Sequence, residues 1–204
     1  MFCSWLFLWV LLLLLFTHVP RYFRYDTSPE KLGFTSADYH NVTLYSKLKP
    51  EATEASLKLT GWFFPTLVGK NLTQGKWANE SNADATIITV HGHGSSMARR
   101  IGKDISVLEK AVLPLWKAGY NLLAIDLRNH GQSGYSGYVT LGCLESLDVI
   151  AALDYIAKEK ECKRIGLWGE SMGGATVLIT SAHKEYRNSI RAVVADSAFS
   201  SIES

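Results

Sequence analysis

A serine between two glycines is the feature of this sequence with the clearest chemical meaning. The pattern Gly-Glu-Ser-Met-Gly occupies residues 169–173, between the strand-like apolar run 164–168 and the helix-like stretch 174–182. A serine at such a strand-to-helix turn has a strained backbone and an exposed hydroxyl, and the helix N-terminus behind it favours developing negative charge. Ser171 is therefore a candidate nucleophile. The alternative is a glycine-rich turn whose serine has no chemical role.

Two further polar clusters follow strand-like runs. Residues 91–94 read His-Gly-His-Gly, and residues 126–133 have the form Asp-x-Arg-x-His-Gly-x-Ser. Arg128 and His130 of the second cluster either brace neighbouring turns or contact a substrate.

A metal site built on His91 and His93 is a rival interpretation of the first cluster. Two histidines without a neighbouring carboxylate or thiolate are a poor ligand set for zinc. The sequence therefore predicts no metal, and it indicates no other cofactor.

The elements around these clusters predict an α/β fold with a mostly parallel sheet. Apolar runs alternate with amphipathic helices, of which the clearest has apolar residues at 149, 150, 153, 156 and 157. This alternation is typical of a parallel sheet with helices on both faces. The strand candidates are residues 86–90, 122–126, 164–168 and 192–196.

Two further segments add expectations, one before these strands and one between the first two of them. Residues 41–48 and 56–64 alternate apolar and polar side chains, which predicts an antiparallel hairpin at the sheet edge. Pro114 is expected to kink or split a helix that ends near Gly119.

With these motifs in this order, the chain resembles the α/β-hydrolase fold family, in particular its serine aminopeptidase-like and acylglycerol lipase-like branch. The resemblance covers about residues 41–204 and rests on residues 91–94, 126–133 and 169–173. It implies acyl transfer to water, with a small-molecule, lipid or peptide acyl substrate cleaved through an acyl-enzyme on Ser171. The oxyanion would be held by the backbone N–H groups of His93 and Met172.

The resemblance leaves the catalytic triad incomplete. In this fold an acid and a histidine follow the serine, and the one histidine after Ser171 is His183. Twelve helical steps place it about 18 Å away along the helix axis, so no residue of this chain is predicted to be the general base. Asp196 is a candidate acid, with a structural aspartate at a strand end as the alternative.

We therefore expect a C-terminally truncated member of the family that is nearly inert by itself. The expected missing parts are the last strands with the acid and the histidine. The other hypothesis is a non-catalytic α/β-hydrolase-like protein that binds a ligand or partner in the same cleft.

The N-terminus predicts a single-pass membrane anchor. Residues 2–16 are almost wholly apolar, and the span 2–19 is within the range that crosses a bilayer. A signal peptide would have a cationic leading region and a small-residue cleavage site, and this sequence shows neither. The expected organisation is an anchor at 1–20, a juxtamembrane linker at 21–40 and the hydrolase part at 41–204.

The side of the membrane on which the hydrolase part lies stays undecided, because two signals conflict. Arg21 and Arg24 after the span favour the cytoplasm for that flank. The sequons at Asn41, Asn71 and Asn79 are glycosylation candidates, which favour the lumen. The net charge of +2 offers no basic surface for nucleic acid.

Overall fold

The computed structural model describes residues 27–66, 82–99, 106–159, 162 and 164–199. The predicted anchor at 1–20, the first part of the predicted linker and the sequons at Asn71 and Asn79 lie outside the described residues. Within the described ranges, no helix has the length and apolar character needed to cross a bilayer.

The described residues contain one mixed sheet of six strands in the order β1-β2-β4-β3-β5-β6. The strands are β1 (His40–Lys47), β2 (Ala55–Phe64), β3 (Ala85–Val90), β4 (Asn121–Ile125), β5 (Arg164–Glu170) and β6 (Ile190–Asp196). β2 pairs antiparallel with both β1 and β4, whereas β4, β3, β5 and β6 run parallel to one another. The predicted parallel strands and the antiparallel hairpin at the edge are both confirmed, with small shifts of their ends.

Helices cover both faces of the sheet, as the alternation of elements predicts. On one face lie α2 (Glu145–Glu159) and α3 (Met172–Ser181), and on the other a π-helical segment (Leu108–Val112) continues into α1 (Leu113–Lys117). The apolar stripe of α2 is buried through Val149, Leu153 and Ile156, while Ala157 at its end is exposed.

The helical segment around Pro114 is continuous from residue 107 to residue 117, so the proline does not split it. Its geometry changes from π-helical to α-helical just before the proline: the π-helical part ends at Val112, and Pro114 occupies the first turn of α1. The helix ends at Lys117, shortly before Gly119, whose φ is 98°.

Part of the predicted linker packs on the domain. Phe34 is buried, with its ring 4.9 Å from that of Phe64 and 4.8 Å from that of Trp116. The described residues 27–39 therefore contribute apolar contacts to the sheet face that α1 covers.

Candidate active site

Ser171 lies at the turn between β5 and α3 and adopts a backbone conformation that is rare for a residue with a side chain. Its φ is 53° and its ψ is −116°, a conformation that costs about 1–3 kcal/mol and persists only where the surroundings enforce it. Its N–H donates to the carbonyl of Asp196 at 2.8 Å, and its own carbonyl accepts from Ala175 at 3.1 Å. Ser171 is half-buried and therefore accessible to a ligand.

The two glycines of the motif permit this turn because their neighbours leave no room for a side chain. A Cβ on Gly169 would overlap the carbonyl of Gly173, and a Cβ on Gly173 would lie 2.5 Å from the carbonyl oxygen of Val90. The start of α3 therefore packs directly on the end of β3. A larger residue at either position would push the serine turn away from the sheet.

The turn after β3 lies against Ser171. A Cβ on Gly92 would meet the Ser171 Cβ at 3.3 Å and its Oγ at 3.9 Å. This approach places the turn that carries His93 beside the turn that carries Met172. Met172 is the first residue of α3, where a backbone N–H has no acceptor within the helix.

Two buried imidazoles connect the turn after β3 to the turn after β4 through hydrogen bonds. His91 accepts a hydrogen bond from Leu127 N–H at Nε2 (3.1 Å) and donates from Nδ1 to the carbonyl of Gly92 (2.8 Å). In the opposite direction, His130 accepts from Gly94 N–H at Nε2 (3.2 Å) and donates from Nδ1 to the carbonyl of Arg128. Both rings must be neutral to accept these bonds.

Burial favours that neutral state. Removal from water lowers the pKa of His91 to about 4 and that of His130 to about 3, and the proximity of the two rings lowers the pKa of His130 further. Their nitrogens bind the backbone, and the described residues contain no group of three or more side chains able to hold a metal ion.

Asp126 and Ser133 complete the bracing of these turns. The Asp126 carboxylate accepts from Met97 N–H at 2.8 Å and from Gln132 N–H at 2.9 Å. Ser133 donates its hydroxyl to the Asp126 carbonyl and accepts from Thr60 N–H. The predicted cluster at 126–133 therefore connects the turns around Ser171 to β2.

Arg128 is fully buried, and its side chain contacts α2 and the end of β1. Its guanidinium pairs with Asp148 of α2, with 2.7 Å between Nη2 and Oδ1, and it donates to the carbonyls of Lys47 and Leu48. Of the two roles considered from the sequence, these contacts match bracing: Arg128 joins β1, the β4 turn and α2.

Asp196 ends β6, and both of its carboxylate oxygens have partners. Oδ2 lies 2.7 Å from Lys110 Nζ, and Oδ1 accepts from the Ser197 hydroxyl at 2.9 Å. The hydrogen bonds from Lys110 and Ser197 lower the pKa of Asp196. The same Lys110 ammonium lies 2.6 Å from Glu170 Oε1.

Two other predicted positions lie apart from Ser171. His183 follows the C-terminal end of α3, whose N-terminal end is at Ser171, so the structure does not bring them together. Asn41 is exposed on β1, and its side-chain oxygen accepts from Trp62 Nε1 at 2.9 Å.

Sequence reasoning missed Lys110. A lysine in a helical segment is usually solvated, and nothing local indicates that it contacts residues 60 and 86 positions downstream. The one available signal was the pattern Ser106-x-x-Glu109, which is a capping box that fixes where this helical segment begins.

The comparisons with known proteins agree with this architecture. Residues 81–204 match the family model described as Hydrolase_4, serine aminopeptidase S33. The chain is similar to the esterase Pf2001 of Pyrococcus furiosus, with 30% identity and a TM-score of 0.60, over 85% of this chain and 54% of that one.

Two further similarities are more distant. The ferulic acid-bound Est1E of Butyrivibrio proteoclasticus is 22% identical with a TM-score of 0.52, over 70% of this chain and 49% of that one, which shows a shared fold. An uncharacterized 31.7 kDa protein of Escherichia coli, from the traX-finO intergenic region, is 29% identical over 86 residues, which are 41% of this chain and 29% of that protein. The chain spans about half the length of the esterase structures it matches.

Proposed function

Because the chain belongs to the serine aminopeptidase S33 family of α/β-hydrolases, we propose that it forms part of a serine hydrolase that uses Ser171 as its nucleophile. The observation that carries the proposal is the strained conformation of Ser171 between a strand and a helix. Backbone strain of this kind clusters at active sites, ligand-binding positions and switch regions, so it supports a functional role for Ser171. The order of strand, Gly-x-Ser-x-Gly and helix favours the role of nucleophile over that of a ligand contact.

The reaction that this geometry supports is acyl transfer to water. The Ser171 Oγ attacks the carbonyl carbon of an ester, thioester or amide while its proton passes to a general base. The carbonyl oxygen becomes an oxyanion that the N–H groups of Met172 and His93 stabilise, and the leaving group departs with a proton. Water then attacks the acyl-enzyme, which releases the acid and restores the serine.

We propose that the general base is a histidine beyond residue 204, because in this fold the acid and the histidine follow the serine in the chain. His183, the one histidine after Ser171 in this sequence, is at the far end of α3, and His91 and His130 use their nitrogens to bind backbone groups. A serine hydroxyl without a base is a weak nucleophile at neutral pH. We therefore expect the isolated 204-residue chain to react slowly or not at all.

Labelling with a fluorophosphonate probe tests the nucleophile in the full-length gene product. We expect the wild type to be labelled and Ser171→Ala to remain unlabelled. Ser181→Ala is the matched control, because Ser181 lies on the same helix with its hydroxyl bonded to Leu178. Equal labelling of wild type and Ser171→Ala would refute the nucleophile and favour the alternative, a non-catalytic binding protein.

Esters are the first substrates to test. The support is the similarity to an esterase at 30% identity, and lipid, thioester and peptide substrates follow from the same acyl-enzyme chemistry. Release of p-nitrophenol from short- and long-chain esters by the full-length product, with Ser171→Ala as the blank, would rank acyl chain length.

We also propose that residues 2–19 anchor the protein in a membrane. The support is the apolar sequence itself, whose length is within the range of a spanning helix. Deletion of residues 2–19 should move the protein from the membrane fraction to the supernatant. A glycosidase-sensitive mass shift that Asn41→Gln reduces would place this flank in the lumen, whereas no shift would favour the cytoplasm.

A further inference from the structure

Lys110 joins the carboxyl ends of the two strands that meet at Ser171. Its ammonium lies 2.6 Å from Glu170 at the end of β5 and 2.7 Å from Asp196 at the end of β6. Glu170 directly precedes Ser171. Asp196 is the residue whose carbonyl accepts the Ser171 N–H.

The two carboxylates need this cation because they are paired across the sheet. Glu170 and Asp196 are direct partners in the register of β5 and β6, and like charges at opposed positions repel each other and destabilise strand pairing. In the described part of the sheet β6 pairs on one side, with β5. Repulsion at this pair would therefore tend to separate the end of β6 from β5.

Such a separation would act on Ser171 through its backbone. The rare conformation of this residue persists only if its neighbours hold it. One of those restraints is the 2.8 Å hydrogen bond from Ser171 N–H to the Asp196 carbonyl. A displaced Asp196 would weaken that bond and change the direction of the Ser171 hydroxyl.

The segment that carries Lys110 is built to hold it in place. The capping box of Ser106 and Glu109 fixes the start of the segment. Lys110 itself lies within the π-helical turn, and such turns are frequent at functional sites. Its Nζ is 5.9 Å from the centre of the Trp168 ring on β5, within the range of a cation–π contact.

We propose that Lys110 is a positioning residue, which neutralises Glu170 and Asp196 and thereby keeps the Ser171 turn in its reactive geometry. This role rests on the proposed function, and it makes Asp196 part of the support of the serine rather than the acid of the triad. All three side chains are about one-third exposed, and ion pairs at that exposure contribute little to global stability. The effect of Lys110 is therefore local.

The test compares four forms of the full-length product: wild type, Lys110→Met, Lys110→Arg and the double variant Lys110→Met/Glu170→Gln. The first readout is the rate of fluorophosphonate labelling at Ser171. The second is hydrogen exchange of the Ser171 amide in ¹⁵N-serine-labelled protein, identified by its loss in Ser171→Ala. Lys117→Met on the same helix is the matched control, because that lysine is exposed.

We expect Lys110→Met to be labelled about tenfold more slowly, well within the roughly hundredfold loss that a 1 Å misplacement can cause. Exchange of the Ser171 amide should accelerate while the melting temperature stays near that of the wild type. Lys110→Arg should restore both readouts because it keeps the charge. The double variant should restore them in part because it removes the repulsion.

Wild-type labelling and amide exchange in Lys110→Met would overturn the proposal. So would slow labelling without faster amide exchange, or a variant that fails to fold, because each places the role of Lys110 elsewhere. If Ser171→Ala is labelled like the wild type, the proposed nucleophile fails. In that case the exchange of the Ser171 amide alone tests the positioning role. Faster exchange in Lys110→Met would support the role, and unchanged exchange would refute it.

Discussion

Removal of the Arg128 guanidinium should be among the most damaging single changes in the described domain. Arg128 and Asp148 are both inaccessible to solvent, with 2.7 Å between Nη2 and Oδ1. Arg128→Met would leave the Asp148 carboxylate buried without its cation and would remove the donors to the carbonyls of Lys47 and Leu48. Breaking one side of a buried pair costs about 3–5 kcal/mol.

Urea unfolding of the full-length product measures this change. With a denaturant dependence of about 2 kcal/mol per molar urea, a loss of about 3–5 kcal/mol lowers the midpoint by about 1.5–2.5 M. Arg164→Met is the control. Arg164 pairs with Asp84 at 2.6 Å, but the two side chains are 48% and 67% exposed, so its loss should cost about 1 kcal/mol or less.

The penalty in Arg128→Met should also depend on pH. Burial raises the pKa of Asp148, and the hydrogen bonds and charge of Arg128 oppose that rise. Without Arg128 the folded-state pKa lies further above the unfolded value of about 3.9. The folded protein then binds more protons than the unfolded chain, so stability falls as the pH rises from about 4 towards the raised pKa.

A double variant separates the buried charge from the lost packing. Arg128→Met/Asp148→Asn has no buried charge and keeps a side-chain oxygen that can accept from the backbone N–H of residue 128, as Asp148 does. It should therefore recover part of the lost stability. Equal midpoint shifts for Arg128→Met and Arg164→Met would refute the argument from burial. No recovery in the double variant would show that the carbonyl contacts, rather than the charge pair, are decisive.

Three other perturbations test the turns around Ser171. Gly169→Ala should cost about 1–3 kcal/mol of unfolding free energy through overpacking against Gly173, and it should also slow labelling of Ser171. Gly33→Ala is the control: its surroundings are open, so its positive φ should lower stability while labelling stays unchanged. Equal labelling of both variants would contradict this. Ser133→Ala should cost about 1–3 kcal/mol because the N–H of Thr60 loses its acceptor, and calorimetry that shows no change would refute it. Burial lowers the folded-state pKa of His130 to about 3, whereas the unfolded chain has a pKa of about 6.5 at this residue. The unfolded chain therefore binds more protons between these values, so stability should fall as the pH drops from about 6.5 towards 3. His130→Gln should reduce that slope, and an unchanged slope would argue against a buried neutral imidazole.

Local pattern determined much of this fold. β-Branched residues in 86–90 predict a buried strand because they fit a pleated, half-buried surface, and the apolar spacing in 149–156 predicts the buried stripe of α2. The motif at 169–173 predicts its own strand–turn–helix context because glycines permit a close turn that other residues do not. These are short-range effects, so the sequence alone was sufficient.

The exact ends of the strands were less predictable. β5 was expected at 164–168 and continues to Glu170, which brings Glu170 into register with Asp196. Pairing with neighbouring strands sets such limits, and pairing partners lie far away in the chain.

Tertiary structure alone decided which polar residues meet. The sequence placed Asp196 at a strand end and made it a candidate acid, but only the packed fold brings Lys110 against it and against Glu170. Likewise, the buried partner of Arg128 is Asp148 on α2, 20 positions away. Its carbonyl partners are Lys47 at the end of β1 and Leu48 directly after it, 81 and 80 positions away. Charge pairs depend on distance in space, and that distance follows from strand order and helix packing rather than from any local pattern. The candidate nucleophile was thus identified from a local motif, whereas the support of its turn is a property of the whole sheet.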